Sequence, residues 1–141
     1  MRDRDGCPAA AALDVVGERW SLLILRELFY GVHRFDRIVE RTGAPRNILT
    51  TRLRRLEAGG VIERRQYQES PARFDYHLTG SGRTLLPVVL ALMDWGNDHL
   101  VREPKQMRHS CGSALKPVTV CADCGAEPHA EDVTAPWVRS D

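Results

Sequence analysis

Three cysteines and two histidines near the C-terminus have the types and spacing for metal chemistry. Cys121-Ala122-Asp123-Cys124-Gly125 is a CxxC followed by glycine, the short turn of a zinc knuckle, and Cys111-Gly112 lies ten residues upstream. His109 and His129 flank the set, and either one completes a tetrahedral four-ligand site. In a reducing compartment a CxxC serves metal or redox chemistry rather than a structural staple. It lies outside any βαβ pattern, which argues against a thioredoxin-like role. Residues 109–133 hold few apolar side chains, so a bound metal would replace the core they cannot build. One structural zinc per chain, held by Cys111, Cys121, Cys124 and His109 or His129, is the first reading. Free or disulfide-forming thiols are the alternative.

Cys7 offers a separate thiol chemistry. It stands just before Pro8, at the start of a helix predicted over 9–16. The positive end of a helix dipole favours a thiolate, so an oxidant- or electrophile-responsive thiol is one reading and an ordinary small buried residue the other.

The third chemistry is binding to a polyanion. The chain has 141 residues with 20 Lys+Arg against 19 Asp+Glu, a net charge of +1. That average conceals a cluster. Residues 45–65 carry Arg46, Arg52, Arg54, Arg55, Arg64 and Arg65 against Glu57 and Glu63, a local +4, whereas residues 105–141 are slightly acidic. Whether such a cluster is a solvated face or a phosphate-binding patch depends on the element that carries it.

The element pattern decides for phosphate. Residues 9–16 are strong helix formers stopped by Gly17, and residues 19–30 are apolar enough for a central core helix. Phe35, Ile38 and Val39 mark a short amphipathic helix over 34–42. Thr42-Gly43-Ala44-Pro45 is a turn, and residues 46–58 then align Leu49, Leu53 and Leu56 on one stripe. Asn47, Thr51 and Arg54 fall nearly opposite that stripe, with Thr50 and Arg55 on its flanks. Residues 61–67 and 73–78 read as two strands, joined through a polar tip at 68–72. A last helix is expected over about 80–100, kinked at Pro87.

This order defines a mainly α fold with a small β-hairpin, a winged helix-turn-helix. A recognition helix needs polar side chains at its outward N-terminal face for base edges and cations beside them for phosphates. Asn47, Thr50 and Thr51 fit the first role, and Arg46, Arg54 and Arg55 the second. Arg64, Arg65 and Arg73 on the hairpin would meet the backbone or minor groove, and Arg34 with His33 would reach phosphate ahead of the preceding helix.

Other classes fit less well. There is no GxSxG, GxxxxGK[ST] or HExxH, and Asp14, Glu18, His33 and Asp36 form no acid–base spacing, so an enzyme is not expected. Gly80-Ser81-Gly82 reads as the start of the last helix. No apolar run approaches the roughly 18 residues of a membrane helix. The charged start lacks a signal-peptide core, so a cytoplasmic location is the default. A winged helix that binds protein instead of DNA is the alternative class, but the polar, cationic outward face of 46–58 prefers DNA.

Several runs resemble the HxlR-type winged-helix regulators. They are Cys7-Pro8, Leu13-Asp14-Val15-Val16-Gly17, Arg19-Trp20-Ser21-Leu22-Leu23-Ile24-Leu25-Arg26-Glu27-Leu28, Arg34-Phe35, Leu49-Thr50-Thr51-Arg52-Leu53-Arg54-Arg55-Leu56-Glu57, Gly60-Val61-Ile62-Glu63-Arg64, Tyr76-His77-Leu78-Thr79, Leu92 and Trp95-Gly96. The resemblance covers roughly residues 7–100. It implies a homodimeric transcription regulator on a pseudo-palindromic DNA operator, dimerising through its first and last helices. Some members sense oxidants or electrophiles at the place of Cys7, and some relatives carry similar Cys-bearing tails. The 80–100 helix is by itself too apolar for one packing face, which places Leu85, Val89, Leu92, Met93 and Trp95 at the subunit contact. Two domains are expected, the winged helix at 1–104 and a Cys/His extension at 105–141. No residue set identifies a small-molecule effector.

Overall fold

A computed structural model describes residues 6–139. Helix α1 (Pro8–Val16) opens with Cys7 at its N-cap and Pro8 in its first turn, where a missing N–H costs nothing. Helix α2 (Arg19–Phe29) is capped by Glu18, whose carboxylate accepts the N–H groups of Trp20 at 3.0 Å and Ser21 at 3.3 Å. It is the central helix the apolar run predicted, with Ile24, Leu25 and Leu28 buried.

Helix α3 (Phe35–Thr42) stops at Gly43, whose φ of +73° is the left-handed conformation that closes helices. Three residues later α4 (Arg46–Ala58) begins, and Leu49, Leu53 and Leu56 on its inner stripe are buried with Ile24, Leu25 and Ile38 in the core of this region.

Strands β1 (Ile62–Glu69) and β2 (Ala72–Leu78) pair antiparallel, from Ile62 opposite Leu78 to Glu69 opposite Ala72. The hairpin is tighter than the polar 68–72 stretch predicts. Hydropathy alternation ends before the tip, but the ladder does not, because exposed residues pair through their backbones as readily as half-buried ones. The register slips between Gln66 and Gln68, leaving Tyr67 as the extra residue of a bulge.

The last helix also differs from expectation. It is two helices, α5 (Gly80–Arg83) and α6 (Leu86–His99), separated at Thr84-Leu85. Pro87 therefore sits in the first turn of α6, where no helical carbonyl needs its N–H, rather than kinking a helix interior.

The chain forms two compact units, one ending at Val89 and one beginning at Leu90. Within the second unit, polar contacts join α6 to the extension. The Asn97 amide donates to the Lys105 carbonyl at 2.9 Å and accepts its N–H at 3.0 Å, and Lys116 stands 3.8 Å from Asp94. Leu90, Met93, Met107, Leu115 and Pro117 line one small pocket beside these bonds. The second unit contains two tight turns, around Cys111 and around Cys124, and a 3-10 turn at Ala130–Asp132. Among the described residues no helix is long and apolar enough to cross a membrane.

Candidate nucleic-acid interface

The outward face of α4 presents Asn47, Thr51, Arg54 and Arg55 exposed, with Thr50 half-buried. Both threonine hydroxyls are engaged: Thr50 donates to the Arg46 carbonyl and Thr51 to the Asn47 carbonyl, each at 3.0 Å. Their protons are used, so their free lone pairs accept. Asn47 alone of the three offers both donor and acceptor.

The arginines divide into free and tethered cations, a distinction their spacing did not reveal. Among the described residues no carboxylate stands within ion-pair distance of Arg54, Arg55 or Arg73. Arg46 is held 2.9 Å from Asp36 and lies over the Phe35 ring, tying α4 to α3 across the turn. Arg64 is 3.3 Å from Glu57 and covers Phe74, and Arg65 pairs with Glu63 at 2.6 Å. Arg52 lies outside the face altogether, bonded to the α2 cap Glu18 at 2.7 Å. The local +4 overstates the free charge, because Glu18 and Asp36 enter from outside the counted window.

The wing is fastened at its root. The carbonyl of His33 accepts the Tyr76 N–H at 2.9 Å, and His33 Nδ1 lies 2.8 Å from the Tyr76 carbonyl. The His33 ring stacks on His77 at 4.3 Å, and His77 Nε2 is 2.8 Å from Asp75. His33, expected at phosphate, is instead a half-buried bolt between α3 and the hairpin. Arg34 bridges to Asp75 through the backbone and lies 4.5 Å over Tyr67, the bulge residue. A cleft lined by Arg34, Arg37, Arg46, Tyr67 and Arg73 opens between the start of α3 and the wing. A second groove, lined by Thr50, Arg54, Glu57, Arg64 and Tyr76, runs between α4 and the wing root. Burial pushes the Tyr76 phenol up from its ordinary pKa. Nothing in the sequence pattern marked Tyr76 as a site residue, because only the tertiary fold brings it beside α4.

The remaining candidates are placed as follows. Cys7 is exposed at the α1 N-cap and makes no side-chain capping bond. Cys111, Cys121, Cys124 and His109 are exposed, and His129 caps the 3-10 turn. Cys121 and Cys124 share one turn, but among the described residues no three His, Cys, Asp or Glu side chains are gathered for a metal ion. Of the residues assigned to a subunit contact, Leu92 and Trp95 are exposed at 52% and 59%, while Leu85 and Met93 are half-buried. Val89 is a correction: at 3% exposed it belongs to this chain's own core and has no surface left for a partner. Val88, at 43%, takes its place on the exposed side of α6.

A helix-turn-helix followed at once by a two-stranded wing, with a polar and cationic face on its second helix, defines a winged helix-turn-helix DNA-binding protein. The profile of the HxlR-like helix-turn-helix family matches residues 15–104, and the chain belongs to that family of transcriptional regulators. The chain is 42% identical over 134 residues to the uncharacterized HTH-type transcriptional regulator Rv3095 of Mycobacterium tuberculosis, covering 92% of this chain and 85% of the relative. Among solved structures it is similar to PA1607, a proposed transcription factor, with TM-score 0.80 and 35% identity over 92% of this chain and 94% of that one. It is also similar to the redox regulator HypR in its oxidized form, with TM-score 0.62 and 33% identity over 67% of this chain and 99% of that one.

Proposed function

We propose that the protein regulates transcription as a homodimer that reads a pseudo-palindromic operator, with α4 of each copy in the major groove and each wing on flanking backbone. The observation that carries this reading is the outward face of α4, where Asn47 and two acceptor hydroxyls stand beside Arg54 and Arg55, which pair with no carboxylate among the described residues. Asn47 suits adenine, which needs a donor and an acceptor together, and the threonine oxygens suit an exocyclic amine. Two such helices about 34 Å apart would match successive turns of B-DNA. A protein-binding winged helix would instead carry an apolar face here.

Titrating the promoter upstream of its own gene at several salt concentrations tests the reading. Arg73→Ala is expected to weaken binding to all sequences and to reduce the log–log salt slope by about one for each phosphate left without its cation. Asn47→Ala is expected to leave the slope unchanged and relax preference at one base pair per half-site. A slope unaltered in Arg73→Ala would remove the wing from the interface.

A second reading concerns regulation. Cys7 is exposed, and the similar HypR is a redox regulator described in oxidized and reduced forms. Oxidation at Cys7 would change operator affinity. DNA binding before and after mild peroxide, in the protein and in Cys7→Ser, tests it; equal affinities throughout would exclude Cys7 as the sensor.

A further inference from the structure

The second unit carries two turns with one hydrogen-bond plan. In the first, the His109 N–H donates to the Ser113 carbonyl and the Gly112 N–H to the His109 carbonyl, both at 2.9 Å. In the second, the Cys121 N–H donates to the Ala126 carbonyl at 2.8 Å and the Gly125 N–H to the Cys121 carbonyl at 2.7 Å. Each turn closes on a glycine with positive φ, +97° at Gly112 and +75° at Gly125. A cysteine stands immediately before each glycine, Cys111 in one and Cys124 in the other.

The first position of each turn carries the matching feature. The backbone N–H groups of Cys124 and Asp123 donate to the Cys121 sulfur. In the other turn the Cys111 N–H donates to His109 Nδ1 at 3.3 Å. In both turns the backbone thus points its donors at a lone pair that a metal would use. His129 is arranged differently. Its backbone carbonyl accepts the Asp132 N–H at 2.9 Å and its backbone N–H donates to the Asp132 carboxylate at 3.1 Å, so it opens the 3-10 turn and belongs to neither cysteine turn.

We propose that the two turns are the halves of a structural zinc site with His109 Nδ1, Cys111, Cys121 and Cys124 as its ligands. The three thiols would lose their protons to solvent as the ion binds, and Nδ1 would exchange its 3.3 Å hydrogen bond for the metal. The four groups are not converged among the described residues, so the ion would draw the turns together. Packing does not oppose that closure: Val118 and Val120, in the link between the turns, are exposed at 60% and 52%. Nor does the family profile account for these residues, since it ends at residue 104. The relative Rv3095 aligns over 92% of this chain, which leaves too few residues out to omit the extension.

The test is the metal content of the full-length reduced protein after zinc loading and dialysis, with cobalt substitution as a spectroscopic count of thiolates. The wild type and His129→Ala are expected to hold one ion per chain, with a thiolate-to-cobalt band. Cys121→Ser and His109→Ala are expected to bind at least about tenfold more weakly. Far-UV circular dichroism of each variant separates loss of ligand from loss of fold, because the helices lie mostly outside the extension. Zinc well below one per chain in the wild type would overturn the site. Loss of zinc in His129→Ala with retention in His109→Ala would overturn the ligand assignment. Operator binding is read separately, so either outcome leaves the DNA-binding proposal untouched.

Discussion

Single side chains show the widest gap between pattern and placement. Glu27 lies in the apolar run of α2 yet is fully buried, its carboxylate held by Arg26 at 2.6 Å and by Arg41. The bond from Arg41 is the leading cause of that guanidinium's raised pKa. Spacing gave Glu27 no distinction, because a lone acid in a helix says nothing about which cations face it. Ser21 is the opposite case: its hydroxyl is buried and finds no hydrogen-bond partner among the described residues. Ser21→Ala should therefore leave stability unchanged or raise it by about 1 kcal/mol in urea unfolding; a fall would mean the hydroxyl is satisfied. The thiols of the extension offer a kinetic prediction. In metal-free reduced protein Cys121 should alkylate faster than Cys124 near pH 7, because a lowered pKa leaves more thiolate at that pH. Peptide mapping after brief iodoacetamide treatment measures it.

Elements were legible where period and punctuation agreed. The α4 stripe, the Gly43 stop and the two strands follow from spacing alone, and the structure has them. Leu53 is 1% exposed on that stripe, so Leu53→Ala should cost about 3 kcal/mol in the same unfolding assay. The break between α5 and α6 was not legible, because Gly80-Ser81-Gly82 and Pro87 each allow a continuous or an interrupted helix. What decides is the close approach of α5 to the wing root. Thr79 Oγ1 accepts the Gly82 N–H at 3.1 Å and donates to the Gly60 carbonyl at 2.5 Å. A Cβ at Gly82 would lie 2.0 Å from the Val61 carbonyl oxygen, a backbone atom that cannot step aside. Gly82→Ala should accordingly destabilise by roughly 1–3 kcal/mol. A neutral result would show that α5 can shift away from the hairpin without cost.

For the whole molecule the open quantity is its assembly. α6 exposes Val88, Leu92 and Trp95 at helical spacing, apolar side chains of the kind a partner surface covers. If a second copy covers it, Leu92→Glu should shift sedimentation toward monomer and weaken operator binding, while leaving the helical circular dichroism intact. The near-zero net charge has a consequence here too: non-specific DNA binding should be weak, so affinity should depend on two half-sites being engaged together. The sequence by itself determined the winged helix-turn-helix and the outward face of α4, because apolar periodicity and turn residues act over a few positions and are written locally. The three-dimensional fold alone decided which arginines are tethered, that Val89 is core, that His33 fastens the wing and that Asn97 holds Lys105. Those depend on partners distant in the chain, such as Asp36 for Arg46, Glu18 for Arg52 and Lys105 for Asn97, whose approach no local spacing encodes.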